Sequence, residues 1–302
     1  MALRRPTTFE EMDAVAAKYF TKESHQRGVA FKPQPDDIII STYAKAGTTW
    51  MQQIVHQLRT GGDMDFTEIT AVVPWIEIAF DTGLDIEGEQ AAPPRAYKSH
   101  LDWSEVPKGC RYIYITREPK DIAVSLYRFS EGWFFEAGAI SIDDFVRRDI
   151  LGGDAARGIW PHFASWWHKR LDDDTLFLTY EDMKDDPAGA VRRVAAFMGI
   201  APGSPAIDTA IEHSSLPFMQ THAGQFDDHL LREARDAIAG LPPDGESNKV
   251  RTGQVGGHRA VLSDDLVAAF DDAWRERIGD ALGLEDYGAL RRVLAEERGS
   301  RP

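Results

Sequence analysis

The stretch Pro35-Asp36-Asp37-Ile38-Ile39-Ile40-Ser41-Thr42-Tyr43 (residues 35–43) leads through Ala44-Lys45-Ala46-Gly47 into Thr48-Thr49-Trp50-Met51-Gln52-Gln53-Ile54-Val55-His56-Gln57-Leu58. A short run that is apolar at consecutive positions reads as a strand covered on both faces, the habit of parallel sheets, and the residues after it carry helical spacing. A strand-to-helix turn aims unpaired backbone N–H groups and the positive helix end at one point, which makes an anion site. Gly47 lets the backbone come close to that anion, Lys45 adds a charge, and Thr48 and Thr49 add hydroxyl donors. Helix capping accounts for a threonine but not for the whole Lys-x-Gly-Thr-Thr cluster. The lysine precedes the glycine, so the order is not that of a Walker A loop.

Outward from this unit the same alternation repeats. PRAYKSHL (94–101) and CRYIYITREP (110–119) read as strands, the second stopped at Pro119 and followed by the helix PKDIAVSLYRF. TLFLTYEDM (175–183) reads as another strand, and DPAGAVRRVAAFMGI follows it with Pro187 in a favoured first-turn position. Strands alternating with helices predict an α/β fold, a single domain with a central parallel sheet flanked by helices. Segments 60–93 and 225–260 are rich in Gly, Pro and Asp with weak periodicity, and read as long loops serving as lids or pocket walls.

Composition narrows the function. With 302 residues, 34 Lys+Arg and 49 Asp+Glu, the net charge of −15 argues against a nucleic-acid binder and against docking on anionic lipid. The single cysteine, Cys110, forms neither an internal disulfide nor a zinc cluster, which fits a reducing, cytoplasmic setting. No stretch approaches the length of a membrane span, and MALRRPTTFEEMD lacks the apolar centre of a secretory signal. No metal-ligand spacing stands out, and Asp172, Asp173 and Asp174 read as a turn.

Three further segments carry candidate chemistry. Arg117 sits at the carboxyl end of a strand, where open α/β sheets bind ligands, with Ser125 in the helix behind it. Its planar fork suits phosphate, although pairing with Glu118 or Asp121 is the plainer alternative. Lys98 and His100 alternate onto one side of a strand, and the cation should hold the imidazole neutral and able to accept a proton. Arg251-Thr252-Gly253-Gln254-Val255-Gly256-Gly257-His258-Arg259 gathers cations and glycines in a loop that could wrap an anion, or simply be solvated.

Taken together, these segments resemble the soluble, cytosolic-type branch of the sulfotransferases that use 3′-phosphoadenosine 5′-phosphosulfate (PAPS), in order over residues 36–275. STYAKAGTTW resembles the family's 5′-phosphosulfate loop, T-Y-P-K-S-G-T-T-W. TREPKDIAVSLYRF resembles its 3′-phosphate segment. LTYEDMK places Tyr180 at an adenine-contacting position, and EHSSLPFM places Ser215 and Leu216 in the adenine wall. RTGQVGGHR resembles the R-K-G-x-x-G-D-W-K closure. GIWPHFASWW resembles a family stretch whose aromatics should be mainly core. Ala44 and Ala46 replace the loop's Pro and Ser, which predicts some leakage of sulfonate to water. Leu216 replaces a Phe, Thr252 a Lys, and Gly257-His258 an Asp-Trp pair, which predicts a looser closure.

The resemblance implies a PAPS-dependent sulfotransferase with a P-loop-like architecture, releasing PAP and needing no metal. It implies His100 as general base with Lys45 and Lys98 as the other catalytic residues. The donor would be held by Lys45, Ala46, Gly47, Thr48, Thr49, Trp50, Arg117, Ser125, Tyr180, Ser215, Leu216, Arg251, Thr252 and Gly253. Pro74, Trp75, Phe80, Phe129, Trp133, Phe134 and Phe135 are candidates for the acceptor side and suit a flat or apolar hydroxyl compound, while acidic Asp227, Asp228, Glu233 and Asp236 suit an amine. Expected boundaries are an N-terminal extension at 1–35 packing on the domain, the sulfotransferase domain at 36–285, and a C-terminal helix and tail at 286–302. The only partner expected is a small-molecule acceptor, with no nucleic acid, membrane insertion or oligomer. A P-loop kinase is the rival enzyme class, disfavoured by its missing Walker lysine and by Lys98-x-His100. A non-catalytic nucleotide-binding protein is disfavoured by the intact Lys45, Lys98 and His100.

Overall fold

The structure, a computed structural model, describes residues 3–152, 158–245 and 249–300, so 1–2, 153–157, 246–248 and 301–302 of the segments delimited above lie outside it. Four strands, β1 (Ile38–Thr42), β2 (Ala96–Ser99), β3 (Arg111–Thr116) and β4 (Thr175–Thr179), form one sheet in the order β2-β1-β3-β4. Every pairing in it is parallel. The longer helices are α1 (Phe9–Tyr19), α2 (Lys22–Ala30), α3 (Thr48–Thr60), α4 (Pro119–Ser130), α5 (Ile159–Trp167), α6 (Pro187–Phe197), α7 (Pro205–His213), α8 (His229–Ala239), α9 (Asp264–Trp274) and α10 (Tyr287–Ser300).

The continuous apolar runs make sense once the period of two is applied. Ile38, Ile40, Ile113, Ile115 and Leu178 face one core, built with Met51, Ile54 and Val55 of α3 and Val191, Val194 and Ala195 of α6. Ile39, Tyr112, Tyr114 and Phe177 face the other core, where Trp160, Phe163, Trp166 and Trp167 of α5 pack, together with Leu290 and Leu294 of α10. Each strand is therefore covered on both sides, as a parallel sheet requires. No helix among the described residues is long and apolar enough to cross a membrane.

The topology creates the crevice. The chain leaving β1 returns as β2 on one side, whereas the chain leaving β3 continues to β4 on the other. The two connections diverge from the carboxyl ends of β1 and β3 and leave a gap there, where ligands of open α/β sheets bind.

The two long segments differ from their reading as loops. Segment 60–93 contains two short helices, Ile69–Val72 and Ala79–Thr82, and lays residues 74–76 along the free edge of β2. There the Lys98 N–H donates to the Pro74 carbonyl at 2.8 Å and the Ile76 N–H to the Lys98 carbonyl at 3.0 Å. Segment 225–260 contains the eleven-residue helix α8. Leu230, Leu231, Ala234 and Ile238 recur at helical spacing in it, and its inner face carries Arg235 and Asp236 beside Leu231 and Ala239. Asp236 is satisfied by the Tyr19 hydroxyl at 2.9 Å and the Trp133 indole N–H at 3.2 Å. Through this network and Val15, Tyr19, Trp133, Phe134 and Leu231, α1 and α8 close over one end of the crevice.

Candidate active site

A cavity of 860 Å³ opens at the carboxyl ends of β1 and β3. Its polar floor is the turn after β1. Lys45 and Gly47 both have positive φ, 69° and 110°, which curls the backbone into a cradle. At Gly47 a Cβ would lie 2.9 Å from the Tyr180 ring, so only glycine fits without a shift. Thr48 opens α3, and its hydroxyl lies 2.6 Å from that of Thr42.

Arg117 stands at the end of β3 over the Tyr180 ring, 4.3 Å from its centroid. It ties two loops together, donating to the Lys45 carbonyl at 3.1 Å and to the Gln254 carbonyl at 2.9 Å. Its buried Nε has no partner among the described residues. Asp121, one turn on, accepts from the Gly256 N–H at 2.7 Å, the His258 N–H at 3.0 Å and the His258 ring at 2.8 Å. This anchors the 251–259 loop beside the cavity, and Asp121 reaches Arg117 only at 4.0 Å.

The reactive end holds the half-buried Lys45, the buried Lys98 and an imidazole. Lys45 Nζ rests 3.9 Å from the Phe129 ring centroid and Lys98 Nζ 3.8 Å from that of Trp75. Burial, then the charge of Lys249, lowers both ammoniums to about 7. His100 lies just past β2, level with the end of β1, and its Nδ1 sits 2.8 Å from the Thr42 carbonyl oxygen. A carbonyl only accepts, so Nδ1 carries the proton and the free lone pair is on Nε2. Burial, and after it the neighbouring Lys98, holds this imidazole well below its ordinary value. The His100 backbone N–H donates to Glu77, a buried carboxyl whose pKa burial raises.

Of the donor-binding residues expected from the sequence, Lys45, Gly47, Thr48, Thr49, Trp50, Arg117, Ser125, Tyr180, Ser215, Leu216, Arg251 and Gly253 line the cavity, with Lys98 and His100. Ala46 and Thr252 do not: the Ala46 side chain is buried in the core and its N–H donates to the Tyr43 carbonyl at 3.2 Å, while Thr252 is exposed. On the acceptor side Trp75, Phe129, Trp133 and Phe134 line the wall. Phe135 instead packs in the core and Phe80 lies on the surface under Arg27. Three of the four acids of α8 and its approach are engaged internally, Asp227 with His229 and Arg232, Asp228 with Lys249, and Asp236 with Tyr19 and Trp133, whereas Glu233 is exposed. Sequence reasoning missed Met12, Ala16 and Phe20 of the N-terminal segment, Leu231 of α8, and Lys249. None of these sits in a recognisable phosphate or acid–base pattern.

A doubly covered parallel sheet that gathers backbone donors, lysines, arginines and a neutral imidazole at one switch point defines a group-transfer enzyme for an anionic donor. A profile of the sulfotransferase domain matches residues 35–281 of the chain. Sulfotransferase 1B1 of Canis lupus familiaris is 36% identical over 203 residues, covering 63% of this chain and 68% of that protein. Sulfotransferase 1B1 of Mus musculus is 29% identical over 261 residues, covering 82% of this chain and 84% of that protein. Mouse sulfotransferase SULT7A1 complexed with PAP has the same fold, with a TM-score of 0.67 at 21% identity, over 93% of this chain and 95% of that one. The chain belongs to the sulfotransferase family and is a PAPS-dependent sulfotransferase.

Proposed function

We propose that this enzyme moves the sulfonate of PAPS to a hydroxyl of a small, apolar acceptor, with His100 as general base. The observation that carries the reading is the His100 arrangement: Nδ1 held by the Thr42 carbonyl, and a neutral ring lining the same cavity as Lys45 and Lys98. The cradle fits the donor. Arg117 has a buried N–H without a partner among the described residues, Gly47 brings the backbone against Tyr180 where a Cβ would not fit, and the Lys45 and Lys98 ammoniums rest on aromatic faces.

Bound PAPS supplies the sulfonate; the acceptor oxygen gains the O–S bond, the sulfur–phosphate oxygen bond breaks, and PAP leaves. His100 Nε2 takes the acceptor proton. Lys45 and the N–H groups at the start of α3 hold the 5′-phosphate and stabilise its growing charge, and Lys98 serves the sulfonate oxygens. Arg117, Ser125 and Arg251 hold the 3′-phosphate, and Trp50, Tyr180, Ser215, Leu216 and Gly253 flank the adenine. Trp75, Phe129, Trp133 and Phe134 exclude water around the acceptor. The engagement of Asp227, Asp228 and Asp236 with protein partners favours a hydroxyl over an amine acceptor.

Thermal stabilisation by PAP, beside ATP and adenosine 5′-phosphosulfate, tests the reading. At a hundredfold excess over Kd a ligand adds about 2.7 kcal/mol. A large shift with PAP alone is expected. Equal shifts with ATP, or none with PAP, would overturn the assignment of the 3′-phosphate residues.

A further inference from the structure

Lys249 and Asp228 form an ion pair inside the cavity, their side chains 8% and 4% exposed. Neither belongs to the anion motifs legible in the sequence. Asp228 has positive φ, 59°, at the start of α8, and Lys249 stands two residues before Arg251. One loop thus delivers a cation to each part of the cavity: Arg251 at its exposed rim and Lys249 in its buried interior.

Resting on the donor reading above, we propose that Lys249, oriented by Asp228, is a third ammonium of the sulfonate subsite beside Lys45 and Lys98. All three line one cavity with His100. Lys249 is the strongest like-charged neighbour of both Lys45 and Lys98, and it also acts on His100. Opposing charge comes from Asp228 and, at Lys98, from Glu68 and Glu77, whose buried carboxyls are both shifted toward the neutral form. Lys45 and Lys98 rest on aromatic rings. Three lysines packed this way outnumber the one carboxylate that pairs with them in a desolvated space, an imbalance that a group with a negative charge shared over three oxygens relieves. A lysine whose only task was to pin the loop to α8 would not need a place among these cations.

The decisive comparison is binding of PAP and of PAPS, without acceptor, to the wild type, Lys249→Met and Lys249→Arg. PAP lacks the sulfonate and PAPS carries it. The proposal expects Lys249→Met to keep the PAP affinity within about twofold while PAPS binding weakens about 10- to 100-fold, the scale of one hydrogen bond to a charged group. Lys249→Arg restores most of the difference. Equal losses for both ligands, or none for either, would overturn it. Lys249→Met removes the cation paired with the buried Asp228 carboxylate and so changes the charge balance of the fold as well; D228N/K249M, which removes both charges, is therefore measured too, and wild-type discrimination in that variant refutes the proposal. Failure of PAP to bind the wild type refutes the donor reading instead.

A second readout separates charge from architecture. Removing the Lys249 charge allows Lys45 and Lys98 to hold their protons to higher pH, so the alkaline limb of kcat/KM for PAPS moves upward in Lys249→Met. Asp228, Glu68, Glu77, His100 and Arg117 remain as the other ionisable neighbours of the two lysines. An unmoved limb means that Lys249 acts only as a strut.

Discussion

The two ends of the cavity are built by opposite means. The donor end is made largely by backbone and by loops fixed to strand ends: the curled 45–47 turn, Arg117 reaching from β3 to the Lys45 and Gln254 carbonyls, and the 251–259 loop anchored on Asp121. The acceptor end is made by side chains from four distant places: α1, the edge segment at Trp75, residues 129–134, and α8. A polar cradle depends on positions that the sheet dictates. An apolar wall depends on whichever helices happen to close over it.

The largest expected effect falls where the two ends meet. His100→Ala removes the proposed proton acceptor while leaving the cradle intact, so turnover falls by about 10²–10⁴-fold. PAP stabilisation remains close to that of the wild type, because His100 touches neither the Arg117 loop nor the α3 turn. Near-normal turnover would sink the assignment. Loss of PAP stabilisation would mean instead that the ring props up the cradle through the Thr42 carbonyl, which it meets at 2.8 Å.

A pH series sharpens the comparison, because the two lysines and the imidazole respond in opposite directions. Lys45 and Lys98 serve while protonated, and burial brings both down to about 7. Free enzyme therefore loses these charges as pH rises through that value, and kcat/KM for PAPS declines by roughly tenfold per pH unit for each required ammonium. His100 serves while neutral, and its lowered value keeps it so below the ordinary imidazole range. The acid limb of kcat with saturating donor therefore lies below pH 6.5, the ordinary value of the imidazole. A flat kcat/KM profile between pH 7 and roughly 9 would show that the lysines keep their protons despite burial. The same depression destabilises the empty protein near neutrality: unfolded lysines bind protons that the folded ones have lost, so stability rises with pH from about 7 toward 10.5, the ordinary lysine value.

What was legible in the sequence follows the same division. Ile38–Ile40, the Lys-x-Gly-Thr-Thr turn, Arg117 and Lys98-x-His100 could be read because each is fixed by local rules, namely period-two strands, helix N-termini and strand ends. Helix α8 was overlooked although its apolar residues recur at helical spacing, and its buried face was not legible, because Arg235 and Asp236 lie on it while Ile238 is exposed, and Asp236 is satisfied only by Tyr19 and Trp133, far away in sequence. Phe80 and Phe135 illustrate the converse. Phe135 adjoins the wall residue Phe134 yet turns to the core, because neighbouring positions on a tight turn point in different directions, and Phe80, in the short helix Ala79–Thr82, turns to the surface. Lys249 was hidden for a further reason, since its chemistry exists only after Asp228 and the other lysines are brought around it.

The smallest expected effect tests the wall itself. Phe20 follows α1 directly and is 40% exposed, with its ring stacked 6.2 Å from Phe134 and tilted 6.0 Å from Trp75. Its outer face is already wet, so Phe20→Ala costs the fold little, and Tyr19, fully buried beside it, keeps α1 docked on α8. An apolar acceptor loses part of one ring contact, on the order of 1 kcal/mol at about 25 cal/mol per Å², or about fivefold in affinity. The acceptor KM rises by that factor while kcat and PAP stabilisation hold, because neither the proton acceptor nor the cradle is touched. If kcat fell and KM held, the ring would be positioning the reacting hydroxyl rather than covering the acceptor. The N-terminal helix would then belong to the chemistry, and the division between a dictated cradle and an incidental wall would fail at this point.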